Sequence, residues 1–315
     1  MPGTVLRTVT RTQGNNAALK EGTVAPRRFD LAFEEVPVLV NAFRRMVRGL
    51  EFDLCEMALT TYLCARARGT PFTALPVFLV RGFHHGAVVC AADSDVREPK
   101  DLEGRTVGVN RGYTVTTGVW ARGVLQDEYD VDLDEVTWAP SGDEHVAEYR
   151  LPSNVMPPRD SPGLAERIAA GELAAAVGLP PDPPGLLPLI PDAAEAGFAA
   201  LRRHGHYPIN HLMVVRDDLL AAHHDLAGDL FDAFTESKNR YLGQLRRTAI
   251  TELTPTDLMY RRVMEITGAD PLPYGIEPNR AVIEELIGHA RRQLILDQTP
   301  SVESLFAAGT RDLTG

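Results

Sequence analysis

The alternation of short apolar runs with amphipathic ones over residues 29–80 constrains the fold most. Residues 29–35 read as a strand, 38–48 as a helix, 52–57 as a strand, 62–68 as a helix and 75–80 as a strand. This β-α-β-α-β order predicts an α/β lobe with a largely parallel sheet. Residues 4–12 alternate apolar and polar side chains and add an earlier strand, and 86–91 add a later one. Gly69 and Pro71 end the helix ahead of the 75–80 run.

The middle of the chain repeats the pattern on its own. Strands are expected at 106–110, 136–140 and 174–179, and helices at 117–129, 164–171 and 193–204. A strand at 209–216 follows, and then helices at 219–246, 256–267 and 279–293. The helical last third has too few strands for a sheet of its own and should return to cover the first lobe. We therefore expect residues 1–91 and 206–315 to form lobe 1 and 92–205 lobe 2. Residues 152–162 are Pro-rich and 180–191 hold six prolines, so both should be irregular. Ligands of such folds bind at the carboxyl ends of strands and in the cleft between lobes.

Composition narrows the partners. Over 315 residues the formal net charge is -11, which argues against nucleic acid, because phosphate binding needs a basic face. Only Cys55, Cys64 and Cys90 occur, with no CxxC pair, so neither a disulfide framework nor a zinc knuckle is expected. The N-terminus lacks an apolar signal region and no run of 18 apolar residues exists, so a soluble cytoplasmic chain without membrane contact is expected.

The strongest ligand signal is residues 111–122, RGYTVTTGVWAR, between a strand and a helix. The first N–H groups of a helix lack intrahelical partners and carry partial positive charge. Thr114, Thr116 and Thr117 add hydroxyl donors, and Arg111 adds a forked cation. The stretch EMALTTY, from Glu56 to Tyr62, mirrors it: a strand end, then Thr60 and Thr61 where a helix cap belongs. Two such stretches, one per lobe, could face each other across a cleft.

Several other residues could carry chemistry. RGFHHG places Arg81, His84 and His85 near a strand end, ahead of Gly86. Adjacent histidines on a strand point in different directions, so one at most would face a cleft. Glu144 beside His145 suits proton transfer, since a carboxylate orients an imidazole. No HxxxH spacing accompanies them, so no metal is expected. YPINH places Asn210 and His211 at a turn before a strand, as ligand contacts or as a structural turn.

Taken together these stretches resemble the 4,5-dihydroxyphthalate decarboxylase family, a branch of the type 2 periplasmic-binding-protein fold. The residues carrying the resemblance are EFDLCEMALTTY (51–62), FHHG (83–86), YTVTTGVWARGVL (113–125), EHVAEY (144–149), PINH (208–211) and PYGIEPNR (273–280). The family has SELSLSSY where residues 55–62 read CEMALTTY, and Arg where His84 stands.

The resemblance implies an α/β, two-lobed fold and a decarboxylase of a hydroxylated aromatic carboxylic acid. A hydroxyl para to the carboxylate lets the ring carbon be protonated before CO2 leaves, so no cofactor is implied. It implies His85 or His211 as proton donor, with Glu144 and His145 assisting. The substrate would be held by Glu56, Thr60, Thr61, Arg81, His84, Arg111, Tyr113, Thr116, Thr117 and Asn210. A small aromatic carboxylate is thus the expected partner, and a homo-oligomer is compatible with the sequence. A non-catalytic solute-binding protein and a same-fold enzyme with another substrate are the alternatives.

Overall fold

The structure, a computed structural model, describes residues 4–159, 162–179, 185–247 and 249–315. The chain divides into two compact units, one of Met1–Arg81, Ile209–Glu284 and Pro300–Gly315, the other of Gly82–Pro208 and Glu285–Thr299. The first unit opens with strands β1 (Thr4–Val9), β2 (Phe29–Phe33), β3 (Leu54–Ala58) and β4 (Phe72–Arg81). The second holds β5 (Val88–Ala91), β6 (Thr106–Val109), β7 (Thr137–Pro140), β8 (Ala175–Val177) and β9 (Leu186–Pro188). The chain then returns to the first unit as β10 (Ile209–Arg216).

Ten α-helices are described: α1 (Ala17–Lys20), α2 (Leu39–Gly49), α3 (Leu59–Ala67), α4 (Thr116–Tyr129), α5 (Leu164–Ala169), α6 (Ala193–His204), α7 (Asp217–Ala222), α8 (Leu226–Arg246), α9 (Pro255–Thr267) and α10 (Arg280–Arg292). None of the described helices is long and apolar enough to cross a membrane.

The sheet of the first unit runs β2-β1-β3-β10-β4. β1 pairs parallel with β2 and β3, whereas β10 is antiparallel to both β3 and β4. All five residues of β3 are buried, as befits a central strand covered on both faces. α2 packs Ala42, Phe43, Met46 and Val47 inward and ends at Leu50 in the left-handed region (φ 48°).

The second unit repeats the design, with strand order β7-β6-β8-β5-β9 and β5 antiparallel to β8 and β9. Val89, Ala139, Leu164, Ile168, Leu173, Ala176 and Leu186 form one of its apolar clusters.

Three sequence expectations need correction. Residues 82–91, placed in lobe 1 by sequence, join the second unit because β5 pairs with β8 and β9; residues 285–299 also belong there. The Pro-rich stretch 180–191 was expected to be irregular, yet Leu186–Pro188 is an edge strand. Proline tolerates an edge, where no ladder donor is needed. Residues 180–184 and 160–161 of the two Pro-rich stretches lie outside the described residues. The single helix expected over 219–246 is two, broken where His223 leaves helical geometry.

Candidate active site

Unit one presents a buried acid. Glu56 lies mid-strand in β3 and is fully buried. A bare carboxylate there would be costly, so its oxygens need donors. Oε2 accepts from Thr10 Oγ1 at 2.7 Å and from the Arg11 N–H at 3.0 Å. Oε1 meets His211 Nδ1 at 2.6 Å. Burial pushes the carboxyl up, but the His211, Thr10 and Arg11 hydrogen bonds outweigh it and hold Glu56 below the usual carboxylate range. Asn16 adds a further layer by donating to Thr10 Oγ1 at 3.0 Å.

The strand pairing explains how the pair meets. Met213 of β10 sits opposite Glu56, which puts His211 two residues along on the same face. On its other side β10 slips register against β4 between Ile209 and Met213. Such irregularities re-aim side chains, and they recur beside active sites. Phe43 of α2 packs edge-on to the imidazole at 5.2 Å and 89°. The ionised Glu56 holds a proton on Nδ1, so Nε2 is the nitrogen available for chemistry, on a side chain 19% exposed.

The other unit-one candidates take supporting places. Thr60 and Thr61, expected as caps, lie inside the first turn of α3, whose N-cap is Ala58; both are fully buried. Arg81, at the end of β4, donates to the Pro273 carbonyl at 3.2 Å and to Asn279 Oδ1. Asn279 in turn donates to the carbonyls of Pro273 and Gly275. Arg81 therefore braces the PYGIEPN turn. Glu56, expected to touch substrate, has both oxygens engaged within the chain and orients His211. Asn210 is half-buried at the register slip, next to His211.

Unit two places the anion loop as expected, between β6 and α4, but it is already occupied. Glu144 Oε1 accepts from the Tyr113 N–H at 2.5 Å, and Oε2 accepts from Thr114 N at 3.1 Å and Thr114 Oγ1 at 2.5 Å. Gly112 makes room for this: a Cβ there would lie 2.7 Å from Glu144 Oε2. Glu144 is thus a ligand of the loop, its carboxylate held by the Tyr113 and Thr114 donors. His145, the next residue, is buried.

Arg111 has φ 68°, left-handed for a non-glycine residue, and its N–H donates to Ser141 Oγ at 2.8 Å. Its side chain is exposed. Thr116 and Thr117 open α4, with Thr116 buried and Thr117 half-buried. Behind the loop stands Arg122, fully buried, its guanidinium 3.9 Å from the centre of the Tyr113 ring. It donates to the Tyr113 carbonyl at 2.6 Å and to Gln293 Oε1 at 2.8 Å.

The two adjacent histidines are not on a strand. β4 stops at Arg81, and His85–Ala87 is a 3-10 turn. His84 lies parallel to Trp120 at 6.3 Å and 3°. His85 Nε2 meets Glu128 Oε1 at 2.9 Å, while its Nδ1 is enclosed without a hydrogen-bond partner among the described residues. Burial pushes Glu128 up, but His85 and Arg203 hold it below the usual carboxylate range. Sequence reasoning missed Thr10, Arg11, Glu128 and Ser141. Arg122 lay at the end of the motif but was not singled out. None of the five carries a local signal, because each acts on a residue distant in the chain.

No protein-family model matches the chain. The 4,5-dihydroxyphthalate decarboxylase of Comamonas testosteroni is 31% identical over 262 residues, covering 78% of this chain and 79% of that protein. The chain belongs to the 4,5-dihydroxyphthalate decarboxylase family. The Pseudomonas putida protein of the same name is 32% identical over 144 residues, 43% of this chain and 55% of that protein. As a member of the 4,5-dihydroxyphthalate decarboxylase family the chain is an enzyme, a carboxy-lyase.

Solved structures show the fold. The Candida albicans CA3427 product, described as having the generic periplasmic binding protein fold, aligns with a TM-score of 0.56 at 13% identity over 100% of this chain and 99% of that one. The alkanesulfonate-binding protein SsuA from Xanthomonas axonopodis pv. citri gives 0.52 at 14% identity over 97% and 99%. The 4,5-dihydroxyphthalate decarboxylase family member described above thus has the α/β periplasmic-binding-protein fold.

Proposed function

We propose that the chain decarboxylates 4,5-dihydroxyphthalate or a closely related hydroxylated aromatic carboxylate, with His211 as the proton donor. The observation that carries the proposal is the Glu56–His211 pair at 2.6 Å. A buried ionised carboxylate stabilises the imidazolium and fixes its orientation, which is what a general acid needs. His85 fits the role less well, with one nitrogen on Glu128 and the other enclosed.

Direct loss of CO2 from the aromatic ring would leave an aryl carbanion. In the proposed reaction the hydroxyl para to the departing carboxylate loses its proton, and its electrons move through the ring. The carbon bearing the carboxylate then takes the proton from His211 Nε2, giving a dienone. The C–C bond breaks, CO2 leaves, and the bonding pair restores the aromatic ring as the carbonyl oxygen regains a proton. The products are CO2 and a dihydroxybenzoate. The substrate acts as its own electron sink, so the step asks for no pyridoxal or thiamine group.

Arg111, Thr116 and Thr117 are the proposed carboxylate-binding set, since Arg presents a fork matched to carboxylate geometry. His84, where the family resemblance has Arg, lies against Trp120 and supplies no such fork. Incubation of the chain with 4,5-dihydroxyphthalate, with and without a chelator, tests the reading. Release of CO2 and dihydroxybenzoate in both arms, lost in His211→Asn, is expected. Binding without product over a panel of hydroxybenzoates and phthalates would overturn it in favour of a solute-binding role.

A further inference from the structure

We infer that Ser141 and Glu144 are positioning residues that set Arg111 for carboxylate recognition. This rests on the proposed role of Arg111 as a carboxylate binder. The loops that follow β6 and β7 come from adjacent parallel strands of one sheet. The second loop clamps the first with four hydrogen bonds: Arg111 N to Ser141 Oγ, Tyr113 N and Thr114 N to the Glu144 carboxylate, and Thr114 Oγ1 to the same carboxylate. Arg111, the first of the clamped residues, is held at φ 68°. A non-glycine residue in that region is strained, and such strain persists only where surrounding structure imposes it.

The clamp has a counterweight inside the fold. Arg122 binds the carbonyl of Tyr113, and the amide N–H of that same peptide group belongs to Thr114, which donates to Glu144. One peptide thus links a buried guanidinium to the Glu144 carboxylate, and each bond polarises the other. The arrangement fixes the peptides after Arg111 from both sides while leaving its guanidinium exposed, with no ion pair or hydrogen bond among the described residues. A rigid turn carrying one exposed forked cation is suited to reading a carboxylate, because less freedom is lost on binding.

A double-mutant cycle tests the assignment. Phthalate serves as binding probe, because it lacks the para hydroxyl that decarboxylation needs, and KM for 4,5-dihydroxyphthalate is measured alongside. Arg111→Gln is expected to weaken phthalate binding about tenfold or more. Ser141→Ala removes a single exposed hydrogen bond and should weaken binding about three- to tenfold, with kcat and the melting temperature nearly unchanged. In the Arg111→Gln background Ser141→Ala should change the phthalate Kd less than about twofold, and Glu144→Gln should show the same coupling.

Additive effects, or no effect of Ser141→Ala and Glu144→Gln on either constant, would overturn the positioning role even with decarboxylation intact. Coupled effects on phthalate binding in a protein that releases no CO2 would instead remove only the decarboxylase reading. If the native protein neither binds phthalate nor turns over dihydroxyphthalate, Arg111 has no carboxylate to read and the inference falls.

Discussion

Replacing Glu56 by Gln isolates the contribution of the buried carboxylate to proton transfer. The side chain is fully buried and accepts from Thr10, Arg11 and His211, and no oxygen is left over for substrate. Gln is nearly isosteric but presents an amide NH2 where one oxygen stood, so it must face either the imidazole or the Thr10–Arg11 pair of donors. A hydrogen bond to a charged partner contributes about 1.5–3 kcal/mol. If the bond to His211 develops its full strength on the imidazolium, kcat should fall by roughly 10- to 150-fold. Complete removal of the acid in His211→Asn should cost about 10²–10⁴-fold. KM should move less than about threefold in Glu56→Gln, because uniform substrate binding is untouched. The assay is initial-rate formation of dihydroxybenzoate over a range of 4,5-dihydroxyphthalate concentrations, with thermal melting as the control for folding. An unpaired buried donor costs about 1–3 kcal/mol of stability, a modest downward shift in Tm that leaves the protein folded at 25 °C. A KM raised tenfold at unchanged kcat would place Glu56 on the substrate and refute the orienting role; unchanged kcat and KM would show that the pair serves the fold alone.

His85→Gln should lower the melting temperature while leaving kcat within about threefold, since the ring is enclosed and its Nε2 serves Glu128; a loss above about 100-fold, in a protein still folded, would return the proton donor to His85. Stability should decline as pH falls below the ordinary carboxylate value of 4.5, because Glu56 and Glu128 both sit lower when folded than unfolded. Their stabilisation is complete above the unfolded pKa and is lost as pH falls through the folded one; a urea midpoint that rises as pH falls below 4.5 would contradict the sign. Gly123→Ala should destabilise by about 1–3 kcal/mol despite the usual helical gain, because the new Cβ would lie 2.4 Å from the buried His289 ring. A raised melting temperature would show that His289 yields.

The parts of this protein legible from sequence are those written locally. The run at 209–216 reads as a strand from its own residues and is one, and the helix over 193–204 has the expected bounds. The loop RGYTVTT lies between a strand and a helix, as its residues suggest, and the N–H groups of Tyr113 and Thr114 just ahead of that helix hold a carboxylate. What the sequence does not reveal is that the anion is Glu144, some thirty residues on. The same limit hides the Glu56–His211 pair, whose members are 155 residues apart and meet only because β10 inserts beside β3. Adjacent residues mislead in the opposite way. His84 and His85 look like alternating strand positions, yet β4 ends at Arg81 and His85 opens a 3-10 turn, where no period of two holds.

The two units use one device with opposite consequences. In each, a glutamate carboxylate is enclosed by donors from a loop at the carboxyl end of a strand: Thr10 and Arg11 after β1 hold Glu56, and Tyr113 and Thr114 after β6 hold Glu144. The partner that differs is the third. Glu56 has an oxygen left for His211, a group that can give up a proton at its far nitrogen. Glu144 spends both oxygens on backbone and hydroxyl donors, so its charge goes into rigidity. A carboxylate held by backbone and hydroxyl donors fixes a loop; one that also meets an imidazole can support acid catalysis. On this reasoning a periplasmic-binding-protein fold needs little alteration to become a decarboxylase. Its binding loops stay as rigid as before, and one strand position two residues from the partner of a buried acid, on the same face, carries histidine.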